Sequence, residues 1–256
     1  EPVSRAFLQH YAPAGPPAAL DLGCGPGFST RLIASTCRPG SLIGLDASEQ
    51  FLQAARSIVP EASFDHHDVT SVPLPHAPAD LIYARLVLAH LPDPPAMLER
   101  WRQQLTPTGV LLSEELEDIE APAGPLRDYD EMSAAIVQRG GGVMYAGPLL
   151  AAQDGRCVRV TVSATVAAKI YWFNVRLWLD QGQVHLPGQD LLALEEDLSQ
   201  LASRHDPHRF LDRAADRGPR MTTVPRPRSH PWLSHIAPPS RRPSETPTHE
   251  RRRSQR

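Results

Sequence analysis

The sequence is poor in several features that mark particular classes of protein. It has only three cysteines, Cys24, Cys37 and Cys157, and they follow no regular spacing. A sparse, odd set argues against a disulfide framework and against a zinc site. We therefore expect no bound metal and a reducing, cytoplasmic location.

Long apolar runs and a strong net charge are also missing. No stretch approaches the roughly 20 apolar residues that span a bilayer, and the N-terminus shows no basic segment followed by an apolar one, as a signal peptide would. The net charge of -3 gives no reason to expect binding to nucleic acid or to an anionic membrane. With 256 residues, 41% of them hydrophobic, the chain can build one α/β domain around a proper core.

The C-terminal region differs in composition from the rest. Its last 40 residues contain 10 arginines and 8 prolines but only two acidic residues, Glu245 and Glu250. Such a segment buries too little apolar surface to offset the entropy lost on ordering. We therefore predict a folded domain over residues 1–206 and a disordered Arg/Pro-rich tail over 207–256. A nucleic-acid-binding arm is the alternative interpretation of this tail.

Before the tail, short apolar segments alternate with helical patterns. Strands are predicted at residues 18–22, 41–46, 62–65, 80–84, 110–114 and 157–166, and helices at 28–36, 48–59, 96–105, 126–139, 168–181 and 190–204. Strands that alternate with helices indicate βαβ units and a mostly parallel sheet. Ser48 is the expected N-cap of the helix that follows the second strand.

A glycine-rich loop follows the first predicted strand. Asp21 ends that strand, and Gly23, Gly25 and Gly27 follow at alternate positions before a helix begins at Phe28. Because glycine has no Cβ, the backbone can turn tightly and approach a ligand, while the free N–H groups of the helix face the bound molecule. A dinucleotide site has glycine at the sixth position of such a loop. Phe28 occupies that position here, which argues against a nicotinamide oxidoreductase.

The segment from Asp21 to Phe28 resembles motif I of the class I S-adenosylmethionine-dependent methyltransferases. Residues 80–94 are similar to the fourth strand and following segment of the small-molecule members, of the type that serves ubiquinone and menaquinone biosynthesis. The resemblance implies a Rossmann-like doubly wound sheet, S-adenosylmethionine as cofactor, and O-, C- or N-methylation of a small-molecule acceptor. The alternatives are a non-catalytic or degenerate cofactor-binding relative and, with less support, an NAD-dependent oxidoreductase. The oligomeric state stays open.

The same resemblance assigns roles to individual residues. It implies that Asp46 binds the two ribose hydroxyls, that Asp68 and the neighbouring backbone N–H bind the adenine, and that Arg85 lies near the methionine moiety. The predicted cofactor-binding residues are Asp21, Gly23, Cys24, Gly25, Gly27, Asp46, Ala47, Asp68, Val69 and Arg85.

Residues on the acceptor side carry weaker signals. His90 is the predicted catalytic base because it follows the fourth strand, beside the expected cleft; the other candidates for this role are His66, His67, Glu114 and Glu115. Residues 124–150 are predicted to cap the acceptor site, with Tyr129, Met132, Met144 and Tyr145 as candidate lining residues.

The end of the domain departs from the family pattern. By resemblance, a seventh strand inserts between strands five and six, but after residue 204 only Met221–Val224 favours β-structure. The sequence therefore leaves open that the seventh strand is missing. Its absence would expose unpaired backbone edges on strands five and six.

Overall fold

A single seven-stranded sheet forms the centre of the molecule. The computed structural model describes residues 2–181, 190–203 and 220–223. The strands are β1 Ala18–Leu22, β2 Ser41–Asp46, β3 Ser63–His66, β4 Ala79–Arg85, β5 Leu105–Asp118, β6 Val158–Thr161 and β7 Arg220–Thr223. Their order is β3-β2-β1-β4-β5-β7-β6. β1 to β5 pair in parallel, so the predicted Rossmann-like sheet is confirmed.

Helices follow most of the strands. They are α1 Pro2–Tyr11, α2 Phe28–Cys37, α3 Glu49–Ile58, α4 Pro94–Arg102, α5 Pro125–Arg139, α6 Gly147–Ala151, α7 Ala164–Gln181 and α8 Leu191–Ser203, with a 3₁₀ turn at Leu88–His90. Ser48 is the N-cap of α3, as predicted, and its hydroxyl accepts a hydrogen bond from the Phe51 N–H. In the part of the chain that the structure describes, no helix is long and apolar enough to cross a bilayer.

The seventh strand, which the sequence left open as missing, is present. β7 lies between β5 and β6 and is antiparallel to both. Its four residues fall on the short β-favouring stretch, and in this position they satisfy the backbone groups of two strand edges at once. The rest of the predicted disordered tail lies outside the described residues.

Two strand boundaries also differ from the prediction. β5 extends far beyond residues 110–114, because it pairs with β4 from Leu105 onward and with β7 as far as Asp118. β6 is shorter than residues 157–166, because Ser163 begins a helix: its carbonyl accepts the Ala167 N–H and its hydroxyl accepts the Val166 N–H. Pairing with neighbouring strands therefore lengthens β5 beyond its local pattern. The helix start at Ser163 shortens β6 although its sequence is rich in β-branched residues.

The sheet is covered on both faces, as a parallel sheet must be. One face packs under α4, whose Trp101 is fully buried and donates a hydrogen bond to the Val69 carbonyl. The opposite face packs against α1 and α2, where Leu8 and Ile33 are fully buried. These layers direct the carboxyl ends of β1, β2 and β4 toward one edge, where open α/β sheets bind their ligands.

A second hydrophobic core lies outside these layers. It is formed by α5, α7 and α8, with residues that follow β5, and centres on Tyr129, Tyr171 and Leu198. We call residues 119–181 and 190–203, apart from β6, the cap. It includes the predicted acceptor-site cap, residues 124–150.

Candidate active site

The glycine loop leaves an open face at one position. Gly23 and Gly25 both have positive φ angles, of +61° and +52°. A Cβ on Gly23 would lie 2.6 Å from the Val87 side chain, whereas a Cβ on Gly25 would have no neighbour within 4 Å. Gly23 is therefore glycine because of packing, and Gly25 borders open space that a ligand can fill.

Asp21 is fully buried behind this loop. Its Oδ2 accepts hydrogen bonds from Ser29 (2.7 Å) and Thr30 (2.6 Å) at the start of α2, whereas its Oδ1 is buried without a partner. Burial raises the pKa of Asp21 to about 7, although these two hydroxyls lower it. The Asp21 side chain thus links α2 to β1, and its Oδ1 can still accept a hydrogen bond.

Asp46 connects the second strand to the glycine loop. One carboxylate oxygen accepts the Gly25 N–H (2.8 Å) and the other accepts the Ser48 N–H (2.8 Å). A carboxylate has about four lone-pair positions, so both oxygens can accept further bonds. Asp46 therefore holds the loop in shape and remains able to bind hydroxyl groups.

Asp68 lies beyond β3 and is exposed. Its Oδ1 accepts the backbone N–H and the hydroxyl of Thr70, and these bonds lower the pKa of Asp68. The neighbouring Val69 is buried, while Ala47, after β2, is exposed. The His67 N–H donates to the Asp46 carbonyl (2.9 Å), which joins the ends of β2 and β3.

Arg85 ends β4 over a buried carboxylate. Its Nε is buried without a hydrogen-bond partner and lies 3.9 Å from Oε2 of Glu114. Glu114 accepts hydrogen bonds from Ser4 on α1 (2.9 Å) and from Tyr83. The Glu114 carboxylate therefore forms an ion pair with the Arg85 guanidinium within the fold.

Glu115 holds the loop that follows β4, a role that the sequence analysis missed. Its Oε1 accepts the N–H groups of Val87 (2.9 Å) and Leu88 (2.8 Å). Burial raises its pKa to about 7, although those bonds lower it. Leu86 in this loop has a φ of +56°, a strained conformation that persists only where its surroundings impose it. The only advance signal was the pair of adjacent acids, which strand alternation places on opposite faces.

His90 stands at the end of this loop, on the 3₁₀ turn Leu88–His90. The residue is exposed, yet nearby protein atoms desolvate its ring and lower its pKa, which favours the neutral form that a base needs. Among the other base candidates, Glu114 and Glu115 are fully buried and bonded within the fold. His67 bonds to the Ser71 carbonyl, and His66 is exposed.

The cap is attached to both the β4 loop and the glycine loop. The Val143 N–H donates to the Ala89 carbonyl (2.7 Å), next to His90. Phe173 on α7 contacts Phe28 edge to face, with ring centroids 5.1 Å apart. The cap is thus fastened on two sides of the open cleft.

The candidate lining residues of the cap have different environments. Tyr129 and Met132 are buried in the cap core, and Met144 and Tyr145 pack against it. Tyr145 donates a hydrogen bond to Asp130. Whether these side chains meet an acceptor stays a prediction.

The residues around the cleft fit S-adenosylmethionine. Its amino-acid end carries an ammonium and a carboxylate, and the cleft offers the unpaired Asp21 Oδ1 and the unpaired Arg85 Nε. Its ribose hydroxyls need an acceptor, such as Asp46, beside the open side of Gly25. Within residues 2–181, 190–203 and 220–223, no group of three His, Cys, Asp or Glu side chains could hold a metal ion.

Comparison with known sequences agrees with this site. A methyltransferase-domain family profile matches residues 20–113. The trans-aconitate 2-methyltransferase of Methylobacterium nodulans is 37% identical over 110 residues, which are 43% of this chain and 42% of that protein. The enzyme of the same name from Variovorax paradoxus is 34% identical over 150 residues, 53% of this chain and 58% of that protein. The chain thus spans about half the length of these curated relatives.

Comparison with solved structures agrees on the fold. The 4+2 cyclase SpnF matches with a TM-score of 0.55 and 17% identity, over 88% of this chain and 80% of SpnF. The plantazolicin methyltransferase BpumL in complex with SAH matches with a TM-score of 0.50 and 14% identity, over 88% and 82% of the two chains. These two structures show that the chain shares their fold, and the profile shows that residues 20–113 match a methyltransferase domain.

Proposed function

We propose that this protein transfers a methyl group from S-adenosylmethionine to a small-molecule acceptor. The observation that carries the proposal is the open face of Gly25, held in place by the Asp46 carboxylate at the carboxyl end of β2. A site that binds a nucleoside needs both features: a backbone surface without a side chain, and an acceptor for its hydroxyls.

The chain's own residues divide the work of binding. Bound S-adenosylmethionine supplies an activated methyl group on a sulfonium ion. Asp46 accepts the ribose hydroxyls, while Asp68 and the Val69 N–H receive the adenine. Asp21 and Arg85 take the charged groups of the amino-acid end. Gly23, Cys24, Gly25, Gly27 and Ala47 provide the backbone surface between them.

The acceptor side supplies position and, where needed, a base. The cap covers the cleft, excludes water and orients the acceptor behind the methyl group. His90 accepts a proton when the acceptor is a hydroxyl or a thiol. The family match ends at residue 113, before the cap begins, so the acceptor of the relatives is not transferred to this chain on that ground.

The proposal also covers the boundaries of the methyltransferase domain and the cellular compartment of the protein. Residues 1–206 form the methyltransferase domain, and β7, at Arg220–Thr223, supplies the seventh strand of its sheet. The three cysteines are free thiols, as expected in the reducing cytoplasm.

Calorimetric titration with S-adenosylhomocysteine tests the cofactor assignment. We expect saturable binding that Asp46→Ala abolishes, with NADH giving no heat. Asp93→Ala is the matched control, because Asp93 caps α4 away from the glycine loop. That variant should lose about 1 kcal/mol of stability and none of the affinity.

A second step separates binding from catalysis. Folded protein that binds neither S-adenosylhomocysteine nor S-adenosylmethionine would contradict the proposal. Binding without methyl transfer to any of a broad set of small acceptors would indicate the non-catalytic relative instead. This step is needed because one similarly folded chain is a cyclase.

A further inference from the structure

One buried carboxylate joins the first helix to two neighbouring strands. Glu114 on β5 is fully buried, and the Ser4 hydroxyl on α1 donates a hydrogen bond to its Oε2 (2.9 Å). The other oxygen, Oε1, accepts a hydrogen bond from the Tyr83 hydroxyl on β4. The Nε of Arg85, at the end of β4, lies 3.9 Å from Oε2. We call Ser4, Tyr83, Arg85 and Glu114 the Glu114 network.

Strand register brings the members of this network together. Arg85 is the partner of Glu114 in the parallel pairing of β4 with β5. Side chains two residues apart on a strand lie on the same face, so Tyr83, Arg85 and Glu114 all lie on the face that packs against α1 and α2. Asp21 is the β1 partner of Tyr83 and therefore lies on that face as well. The network thus adjoins the buried acid of the cofactor cleft.

The loop that follows Arg85 packs against the glycine loop. A Cβ on Gly23 would lie 2.6 Å from the Val87 side chain, two residues after Arg85. Between them, the Leu86 N–H donates a hydrogen bond to the Glu114 carbonyl (2.8 Å). Arg85 therefore leaves the sheet directly beside the loop that is predicted to bind the cofactor.

The network satisfies the buried carboxylate but not the whole guanidinium. A buried carboxylate is tolerated when it is hydrogen-bonded and paired with a cation, and Glu114 has two hydroxyl donors and Arg85. Within the described residues, the buried Nε of Arg85 has no hydrogen-bond partner, and 24% of the side chain is exposed. Arg85 is therefore held by an ion pair on its buried side, and its exposed part can meet an anion in the cleft.

An arginine binds a carboxylate more tightly when its planar guanidinium is already oriented, because less rotamer entropy is lost on binding. The ion pair with Glu114 supplies this orientation, and the hydroxyls of Ser4 and Tyr83 fix Glu114 in turn. The Glu114 carboxylate also has a second, opposing effect, since its charge repels an anionic ligand. The sign of the change on removing that charge therefore distinguishes orientation from simple electrostatics.

We propose that Glu114 is a positioning residue for the cofactor: it orients Arg85 to bind the carboxylate at the amino-acid end of S-adenosylmethionine, and Ser4 and Tyr83 hold Glu114 in place. The inference rests on the proposed function and extends it, because it makes cofactor binding depend on α1. Ser4 and Glu114 both lie outside residues 20–113, which match the methyltransferase profile.

The experiment is calorimetry on the full chain with two ligands. They are S-adenosylhomocysteine and decarboxylated S-adenosylhomocysteine, which lacks only the carboxylate of the amino-acid end. We expect the wild type to bind the first at least about tenfold more tightly, as for one charge-assisted hydrogen bond. If neither ligand binds, the proposed function fails and the inference fails with it. If both bind equally well, the proposed function stands and the inference is overturned.

Glu114→Gln removes the charge and keeps the size of the side chain. We expect the Kd for S-adenosylhomocysteine to rise about tenfold, and the Kd for the decarboxylated ligand to stay within about twofold. Glu117→Gln is the matched control, because Glu117 lies on the same strand and forms an ion pair with Arg159 (2.7 Å) instead. It should change neither Kd.

Ser4→Ala is a milder variant that decides the matter if Glu114→Gln does not fold. It removes one of the hydrogen bonds that hold Glu114, so the Kd for S-adenosylhomocysteine should rise about threefold and that for the decarboxylated ligand should not change. In an Arg85→Ala background the same substitution should have no further effect. Ser57→Ala is its control, since the Ser57 hydroxyl bonds to the Gln53 carbonyl within α3.

Three results would overturn the inference. Equal weakening of both ligands by Glu114→Gln would mean that the residue only stabilises the fold. Unchanged or tighter binding of S-adenosylhomocysteine by that variant would mean that Arg85 needs no orientation by Glu114. An effect of Ser4→Ala that persists without Arg85 would mean that α1 acts on the cleft by another route.

Discussion

The cofactor cleft and the cap are built by different kinds of interaction. In the cleft, carboxylates hold main-chain groups: Asp46 bonds to two backbone N–H groups, and Glu115 bonds to two more. In the cap, aromatic side chains pack on each other, with Tyr129 between Tyr171 and Trp178. The cleft therefore depends on a few polar contacts at fixed positions, while the cap depends on total apolar packing.

The variant with the largest expected effect tests whether the hydrophobic core of the cap is stabilised independently of the core of the cofactor half. Tyr129→Ala removes two ring contacts and should destabilise the cap by about 3–5 kcal/mol, while the affinity for S-adenosylhomocysteine changes little. Hydrogen exchange, resolved by segment, should show loss of protection in α5 and α7 but not in β1 or β2. Tyr83→Ala, at a buried tyrosine of the cofactor half, should instead abolish binding. Equal losses in both halves for Tyr129→Ala would contradict the separation.

The two buried acids of the cleft predict how stability depends on pH. Burial raises the pKa of Glu115 from 4.5 to about 7, and that of Asp21 from 3.8 to about 7. Between those values the folded state binds more protons than the unfolded state, so stability falls as the pH rises from about 4 to about 7 and then levels off. Each group contributes on the order of 3 kcal/mol to this fall.

Glu115→Gln isolates one of these contributions. The glutamine carbonyl can still accept the Val87 and Leu88 N–H groups but does not titrate. Urea unfolding at pH 5 and pH 7.5 should therefore show a smaller loss of stability in the variant than in the wild type. The same loss in both proteins would contradict the assignment.

The two glycines of the loop should separate stability from binding. Gly23→Ala forces a Cβ against Val87 at a positive φ and should cost about 2–4 kcal/mol of stability. Gly25→Ala has the same backbone strain without the clash, so it should cost about 1–2 kcal/mol but weaken S-adenosylhomocysteine binding at least about tenfold. Thermal melts and calorimetry measure the two effects. Unchanged affinity in Gly25→Ala would show that its open face is not the cofactor surface.

The smallest expected effect measures the contact between the two regions. A double-mutant cycle of Phe28→Ala and Phe173→Ala should give a coupling energy of about 0.5–1.5 kcal/mol. Leu192→Ala, at the exposed Leu192 on α8, should show no coupling with Phe28→Ala. A coupling near zero for the phenylalanine pair would mean that α7 is not fastened to the glycine loop.

The strands of the cofactor half could be predicted because each of them ends at a chemically distinctive residue. Asp21 is the last residue but one of β1, Asp46 ends β2, and Ser48 caps α3, so the apolar pattern and the residues that end each element agree. β7 was nearly overlooked because four residues in a basic, proline-rich segment carry little signal of their own. Its pairing with β5 and β6 supplies what the local sequence lacks.

The site was only half predictable. The acids and glycines of the cleft are recognisable because a close backbone approach requires glycine, and strand ends present their side chains to the same edge. The role of Glu115 could not be recognised from the sequence, because the sequence does not show which loop lies next to the end of a strand. For the same reason Glu114 was considered as a base, although it is buried beneath Arg85.

By itself, the sequence determined the alternation of strands and helices, the glycine loop and the acids at the strand ends, since these follow from local backbone and side-chain chemistry. Only the tertiary structure decided that β7 completes the sheet, that Glu115 holds the β4 loop, and that Tyr129 stacks on Tyr171 and Trp178 inside the cap. These features join residues far apart in the chain, and their positions depend on how separate elements pack, which no local pattern encodes.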